Sequence, residues 1–164
     1  MFGHKKKLLW DKRFLRLALH IADWSLDPST KVGSVIVNSD KQIISTGFNG
    51  FSRGIKDTSE RLNNRDEKMK LVVHGEMNAI LAASKIGISL KNCSLYLIAR
   101  DTKNGQIWGS APCTRCSVEL IQSGIIEVVS IKGDPPERWK NDCDFAKSLL
   151  QEAGIKYREV EFNA

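Results

Sequence analysis

From Asp11 to Leu26 the apolar side chains Phe14, Leu15, Leu17, Ala18, Ile21 and Ala22 recur at helical spacing, and Asp27-Pro28 supplies a stop. The period then changes. VGSVIV and QIISTGF are rich in β-branched residues and are parted by the polar turn Asn38-Ser39-Asp40-Lys41, so they predict an antiparallel hairpin. The stretch NGFSRGIKDTSERLNNRDEK carries glycine, asparagine and charge without a period, and is expected as a long exposed loop of the kind that serves function. Helical and strand-like runs alternate beyond it: a helix from about Glu76 to Lys85, a strand at CSLYLI, a helix from about Thr114 to Ser123, a strand at IIEVVSI, a helix near Asn141 to Glu152, and a last strand at KYREVEF. That order predicts an α/β fold in which a parallel portion of sheet joins the opening hairpin, with helices on both faces. No repeat or linker divides the chain, so residues 1–164 are expected to form a single domain.

Composition narrows the class. With 164 residues, 41% hydrophobic and 27% charged, the chain can bury a core without disulfides and has the signature of neither disorder nor a membrane span. Lys5, Lys6 and Lys7 precede only Leu8, Leu9 and Trp10, too short an apolar patch for a signal-peptide core. The expected location is cytoplasmic, with no membrane partner, and residues 1–9 are expected as a loose basic terminus. A net charge of +6 favours anionic ligands. Four cysteines in such a chain point to metal or redox chemistry, and their spacing decides between them.

In VVHGEMNAILAASK, His74 stands two residues before Glu76, where a strand-like run gives way to a helical one. In APCTRC, Cys113 and Cys116 are separated by two residues at another expected strand-to-helix turn. Thiolates at that spacing converge on one metal, and the partial positive charge of a helix N-terminus favours the ionised sulfur. His74, Cys113 and Cys116 make three ligands, which leaves one tetrahedral position open, as in a catalytic zinc site. Glu76 faces away from the same ion on a regular helix, but at the helix entrance it can reach a water at the open position and handle protons. Blander readings are a redox Cys-x-x-Cys pair beside an unrelated histidine, or a closed structural site with Cys93 or Cys143 as fourth ligand.

The pattern H-x-E followed by P-C-x-x-C is similar to the signature of zinc-dependent nucleobase deaminases. Through DPSTKVGSVIV, STGFNGFSRG, HGEMNAI, APCTRC and IQSGIIEVV, from Trp10 to about Ile131, the chain resembles the deoxycytidylate (dCMP) deaminase family. The resemblance implies a cytidine deaminase-like three-layer α/β/α sandwich on a mixed five-stranded sheet, a tightly bound Zn2+, and a homo-oligomer. It also implies hydrolytic deamination of dCMP to dUMP and ammonia in pyrimidine deoxynucleotide metabolism, with Glu76 as proton shuttle. Effectors such as dCTP or dTTP, and Mg2+ carried by a triphosphate regulator, belong to the same expectations.

Asn49 matches the family's asparagine in NG, where its amide can meet a sugar hydroxyl. Asn78 resembles the asparagine that follows the catalytic glutamate in dCMP deaminases. For the phosphate, Arg53 is the first candidate, followed by Lys31 and Arg115. Two departures stand out: Gly75 replaces the usual alanine, and ARDTKNGQIWGS, between Ala99 and Ser110, is longer than the family pattern, with Asn104-Gly105 predicting an extra hairpin. Competing functions are deamination of dCTP, deamination of a base in tRNA or another nucleic acid, which is the less favoured partner, and a non-catalytic nucleotide-binding protein stabilised by zinc.

Overall fold

The computed structural model describes residues 2–109 and 111–163. Helix α1 (Phe2–Ala22) leads into the hairpin of β1 (Thr30–Val37) and β2 (Ile43–Phe48). Next come the short β3 (Gly50–Phe51), helices α2 (Ser59–Asn63) and α3 (Arg65–Leu71), and β4 (Val72–Val73). Then follow α4 (Gly75–Lys85), β5 (Ser94–Asp101), β6 (Ile107–Trp108), α5 (Thr114–Ser123), β7 (Glu127–Ile131), α6 (Glu137–Glu152) and β8 (Lys156–Val160).

The main sheet runs β2-β1-β5-β7-β8, with β6 paired to β5 as an added sixth strand. β1 is antiparallel to both β2 and β5, whereas β5, β7 and β8 are parallel neighbours. This is the expected join of an opening hairpin to a parallel portion.

Side-chain alternation along the strands builds both outer layers. Ile36, Leu95, Leu97 and Val128 point into one core, shared with Ala79 and Ala83 of α4, Leu120 of α5 and Leu150 of α6. Their neighbours Val35, Val37, Tyr96, Ile98 and Val129 point into the other, against Phe14, Leu15 and Ala18 of α1. Helices therefore cover both faces.

Several expectations are corrected. Residues from Phe2 onward, expected as a loose terminus, continue α1, where Lys7 lies 3.3 Å from Glu127 of β7. The helix ends at Ala22, short of the Asp27-Pro28 stop. The expected loop, residues 49–68, contains β3, α2 and the start of α3; Thr58 and Asn64 cap the two helices, accepting from the N–H groups of Arg61 and Glu67. Capping by short polar side chains, not an apolar stripe, starts these turns, so a hydrophobic pattern had nothing to register. Helix α6 begins at Glu137, a full turn before Asn141.

Candidate active site

Two helix entrances meet near the amino end of β1 and the carboxyl ends of β2 and β5. His74 is the N-cap residue of α4 and Cys113 that of α5, both in extended conformation and neither using its side chain to cap. N-cap side chains ordinarily bond back to the helix. These two turn toward each other instead, and Asp142 of α6 accepts from the Thr114 N–H at 2.9 Å, taking over the vacated task at α5. The position of α4 is set by contact: a Cβ on Gly47 of β2 would lie 2.2 Å from the Gly75 carbonyl and 2.4 Å from the Ala79 nitrogen. Asn78 also donates to the Phe48 carbonyl at 2.7 Å, tying the helix to the end of β2.

His74 Nδ1 lies 3.4 Å from Cys113 Sγ and 3.4 Å from Cys116 Sγ. A tetrahedral zinc with ordinary Zn–S and Zn–N bonds would hold nitrogen and sulfur about 3.5 Å apart, so these residues fit the ion. Among the described residues this is the His/Cys/Asp/Glu grouping able to hold a metal. Cys93 lies in the core beneath α4, and Cys143 lies on the cavity wall in a small cluster with Ala111 and Ala146; neither belongs to the grouping. The expected magnesium-bound regulator finds no support in a second grouping of this kind among the described residues.

The three groups pair among themselves. A hydrogen bond donated to the Cys113 sulfur, aided by the charge of Glu76 and opposed by burial, raises the His74 pKa to about 9. Bonds from Cys116 and His74, opposed by burial, hold the Cys113 thiol at about 4, and the Cys113 bond with burial pushes Cys116 up. A metal would displace protons from this set, so its uptake depends on pH. Burial pushes the Glu76 carboxyl up to about 7, with the charge of Cys113 adding to it and His74 opposing.

Glu76, His74 and Cys113 open onto a cavity of about 370 Å³, also lined by Asn49 and Thr30. Asn49 is buried; its Oδ1 accepts from Val32 N–H at 2.7 Å and its Nδ2 donates to the Thr30 carbonyl at 2.9 Å, pinning the bend after β2 to β1. Arg53, Lys31 and Arg115 do not line the cavity. Arg53 is exposed in the turn after β3. Lys31 alternates along β1 with Thr30 and Val32, which do line it, and donates to the Asp23 carbonyl. Arg115 is exposed and pairs with Glu119. The basic residues on the cavity are Arg65 and Lys68 of α3, Lys103 of the β5–β6 turn and Arg138 of α6. Sequence reasoning missed them because three elements distant along the chain deliver them; the long ARDTKNGQIWGS segment was the one visible signal.

Residues 8–132 match the family described as "Cytidine and deoxycytidylate deaminase zinc-binding region". The chain belongs to this family. It is 33% identical over 149 residues to "Uncharacterized deaminase in luxG 3'region" of Aliivibrio fischeri, covering 90% of each chain. To the "Deoxycytidylate deaminase" of Homo sapiens it is 31% identical over 159 residues, 93% of this chain and 80% of the human one. The crystal structure of dCMP deaminase from the cyanophage S-TIM5 in complex with dCMP and dUMP superposes with a TM-score of 0.68 at 20% identity, covering 90% of this chain and 94% of that one, and shows a shared fold. The cytidine deaminase-like architecture and the family expectation are thus borne out, and the chain is an enzyme of the deaminase class. No described helix is long and apolar enough to cross a membrane.

Proposed function

We propose that this deaminase hydrolyses a cytosine deoxynucleotide, dCMP, to dUMP and ammonia, with His74, Cys113 and Cys116 holding a zinc ion. The observation that carries the reading is the placing of one imidazole nitrogen 3.4 Å from each of two sulfurs, with the buried Glu76 on the same cavity wall. When bound, zinc supplies Lewis acidity that lowers the pKa of a water.

Glu76 takes the proton that the attacking water loses, passes it to the ring N3, and assists the departure of the C4 amine. One C–O bond forms and one C–N bond breaks; the oxygen of water ends in the C4 carbonyl, one of its hydrogens on N3 and the other in ammonia. Burial of Glu76 favours this shuttling, because a pKa raised toward neutrality lets one carboxyl both accept and return a proton.

The gradient of charge along the cavity supports a nucleotide over a bare base. Arg65, Lys103 and Arg138 are exposed and stand at its mouth, while Glu76 is buried at the metal-ligating end. A ligand entering amine first would leave its phosphate among these cations, which replace Arg53, Lys31 and Arg115 as phosphate candidates. Asn49 keeps its assigned contact with the sugar, since each end of its amide retains one free hydrogen-bonding position.

Ammonia release from dCMP, dCTP, cytidine and tRNA tests the reading, alongside zinc content per chain. Turnover of dCMP by wild type is expected, with Glu76→Gln retaining zinc and fold but losing 100-fold or more in kcat, roughly the contribution of a positioned proton shuttle. Reaction with tRNA alone would reject the nucleotide substrate, and full activity of Glu76→Gln would reject the carboxyl's role.

A further inference from the structure

The hairpin between β5 and β6 lies in the segment expected to depart from the family pattern, and it is closed by its own hydrogen bonds. The Asp101 N–H donates to the Gln106 carbonyl and the Gly105 N–H to the Asp101 carbonyl, while the Asp101 carboxylate accepts from the N–H groups of Lys103 and Asn104. Thr102 fastens it to the segment before β1, its N–H and hydroxyl both donating to the Ser29 carbonyl.

Its placement is unusual for the sheet. β7 pairs with β5 at Ser94, Leu95 and Tyr96, and β6 then pairs with Ala99 and Arg100. Since β1 occupies the other edge of β5 along its whole length, β6 returns on the β7 side and separates the carboxyl ends of the two parallel strands. Carboxyl ends of strands are where open α/β sheets bind ligands. Beyond β6 the backbone is wedged against β7: a Cβ on Gly109 would lie 1.8 Å from the Ile131 carbonyl oxygen.

This wedge sets Trp108. The residue is 8% exposed and lines the same cavity as His74, Glu76 and Cys113. Its indole Nε1 is buried and has no hydrogen-bond partner among the described residues. The chain's own acceptors are close at hand, since Asp101, Gln106 and Asp134 border Trp108 in an adjoining hollow, yet none takes the bond. A buried donor without an acceptor costs more than a made hydrogen bond contributes, and phenylalanine would fill much of the space without that cost.

We propose that Trp108 is a substrate-recognition residue whose indole N–H, covered in the ligand-free protein, is uncovered by a side-chain shift as the nucleotide binds and is satisfied by one of its oxygens. Trp108 lines the cavity and is buried, whereas Arg65, Lys103 and Arg138 are exposed, so the acceptor is assigned to the base or the sugar and not to the phosphate. The inserted hairpin thereby acts as a specificity element. The proposal rests on the nucleotide reading above.

Trp108→Phe keeps an aromatic ring and deletes the donor. Its zinc content is expected to match wild type, and its ligand-free Tm to stay equal or rise, because an unpaired polar group has been removed. Its kcat/KM for dCMP should fall roughly 10- to 100-fold, about 1.4 to 2.7 kcal/mol at 1.36 kcal/mol per tenfold, mainly through KM. The same factor is expected for deoxycytidine; a loss seen only with the phosphorylated substrate would overturn the assigned acceptor. In wild type the Trp108 indole N–H resonance, identified among four tryptophans by single Trp→Phe variants, should move downfield on adding dUMP. This readout serves even if Trp108→Phe does not fold. A variant within twofold of wild type, or an unmoved resonance in protein saturated with dUMP, would overturn the role of Trp108 while leaving the deaminase reading intact. Wild type that neither turns over dCMP nor binds dUMP would overturn the nucleotide reading, and this proposal with it.

Discussion

Lys68 Nζ lies 3.1 Å from the carboxylate of Asp27, and both side chains are buried on the wall of the cavity that His74 and Glu76 line. Asp27 also accepts from the backbone N–H groups of Ser29 and Thr30, so the pair joins α3 to the turn that precedes β1. Lys68 is the buried residue of α3, and α2 has none, so this contact anchors an otherwise solvated pair of helices.

Lys68→Ala should therefore destabilise the protein by about 3 kcal/mol, because it strands a buried carboxylate. The urea midpoint measures this. The double variant Asp27→Asn, Lys68→Met is expected to recover most of the loss, since Asn retains the acceptor for Ser29 and Thr30 and no charge is left unpaired. A double variant as unstable as Lys68→Ala would mean that the ion pair itself holds α3.

Gly47 tests how far the metal ligands depend on packing. A methyl there would drive α4 off β2 by its backbone, and the helix carries both His74 and Glu76. Gly47→Ala is expected to cost at least the 1–3 kcal/mol typical of overpacking, and to lower zinc per chain, measured by metal analysis of the folded fraction. Normal zinc content and stability would show that the sheet yields instead.

The basic mouth predicts a split between substrates. Arg65→Glu with Arg138→Glu should raise KM for dCMP by tenfold or more and leave kcat/KM for deoxycytidine within about threefold, because only the phosphorylated ligand meets those charges. Initial rates at two ionic strengths check this, as salt should narrow the gap.

On the far side of the sheet, Arg158 bonds to Asp11 and Glu127, with Tyr96 donating to Asp11. Burial pushes the Glu127 carboxyl up, but Arg158 and Lys7 outweigh it and hold its pKa below the ordinary value. A carboxyl with a depressed folded pKa contributes stability that is complete above its unfolded value and is lost as pH falls through the folded one. Denaturant midpoints should thus drop as pH is taken below about 4.5, and Glu127→Gln should flatten that slope. An unchanged slope would assign acid sensitivity to other groups.

Much of this molecule was legible before any coordinates. The period-2 runs of β1, β5 and β7 alternate between two cores, so their neighbours on both faces followed from the pattern. The grouping of His74, Cys113 and Cys116 was readable because zinc chemistry demands three soft donors at short spacings, and few other arrangements satisfy that demand. The phosphate candidates Arg53, Lys31 and Arg115 lie off the cavity for the opposite reason. A cation's usefulness depends on which face of its element meets the cavity, and Lys31 loses that contest to Thr30 and Val32 by strand alternation alone. Arg138 could not be anticipated, because the start of α6 comes within reach of the site through the sheet order and not through any local signal.

The β5–β6 excursion begins and ends between the two ligand-bearing segments, yet neither cap residue bears its weight: its fastenings are to β5, β7 and Ser29. On the proposed reading, substrate choice and bond-breaking machinery are housed in separable parts. Exchanging this loop between relatives should move preference from one ligand to another without rebuilding the reaction centre, much as a key can be recut while the lock barrel stays in the door.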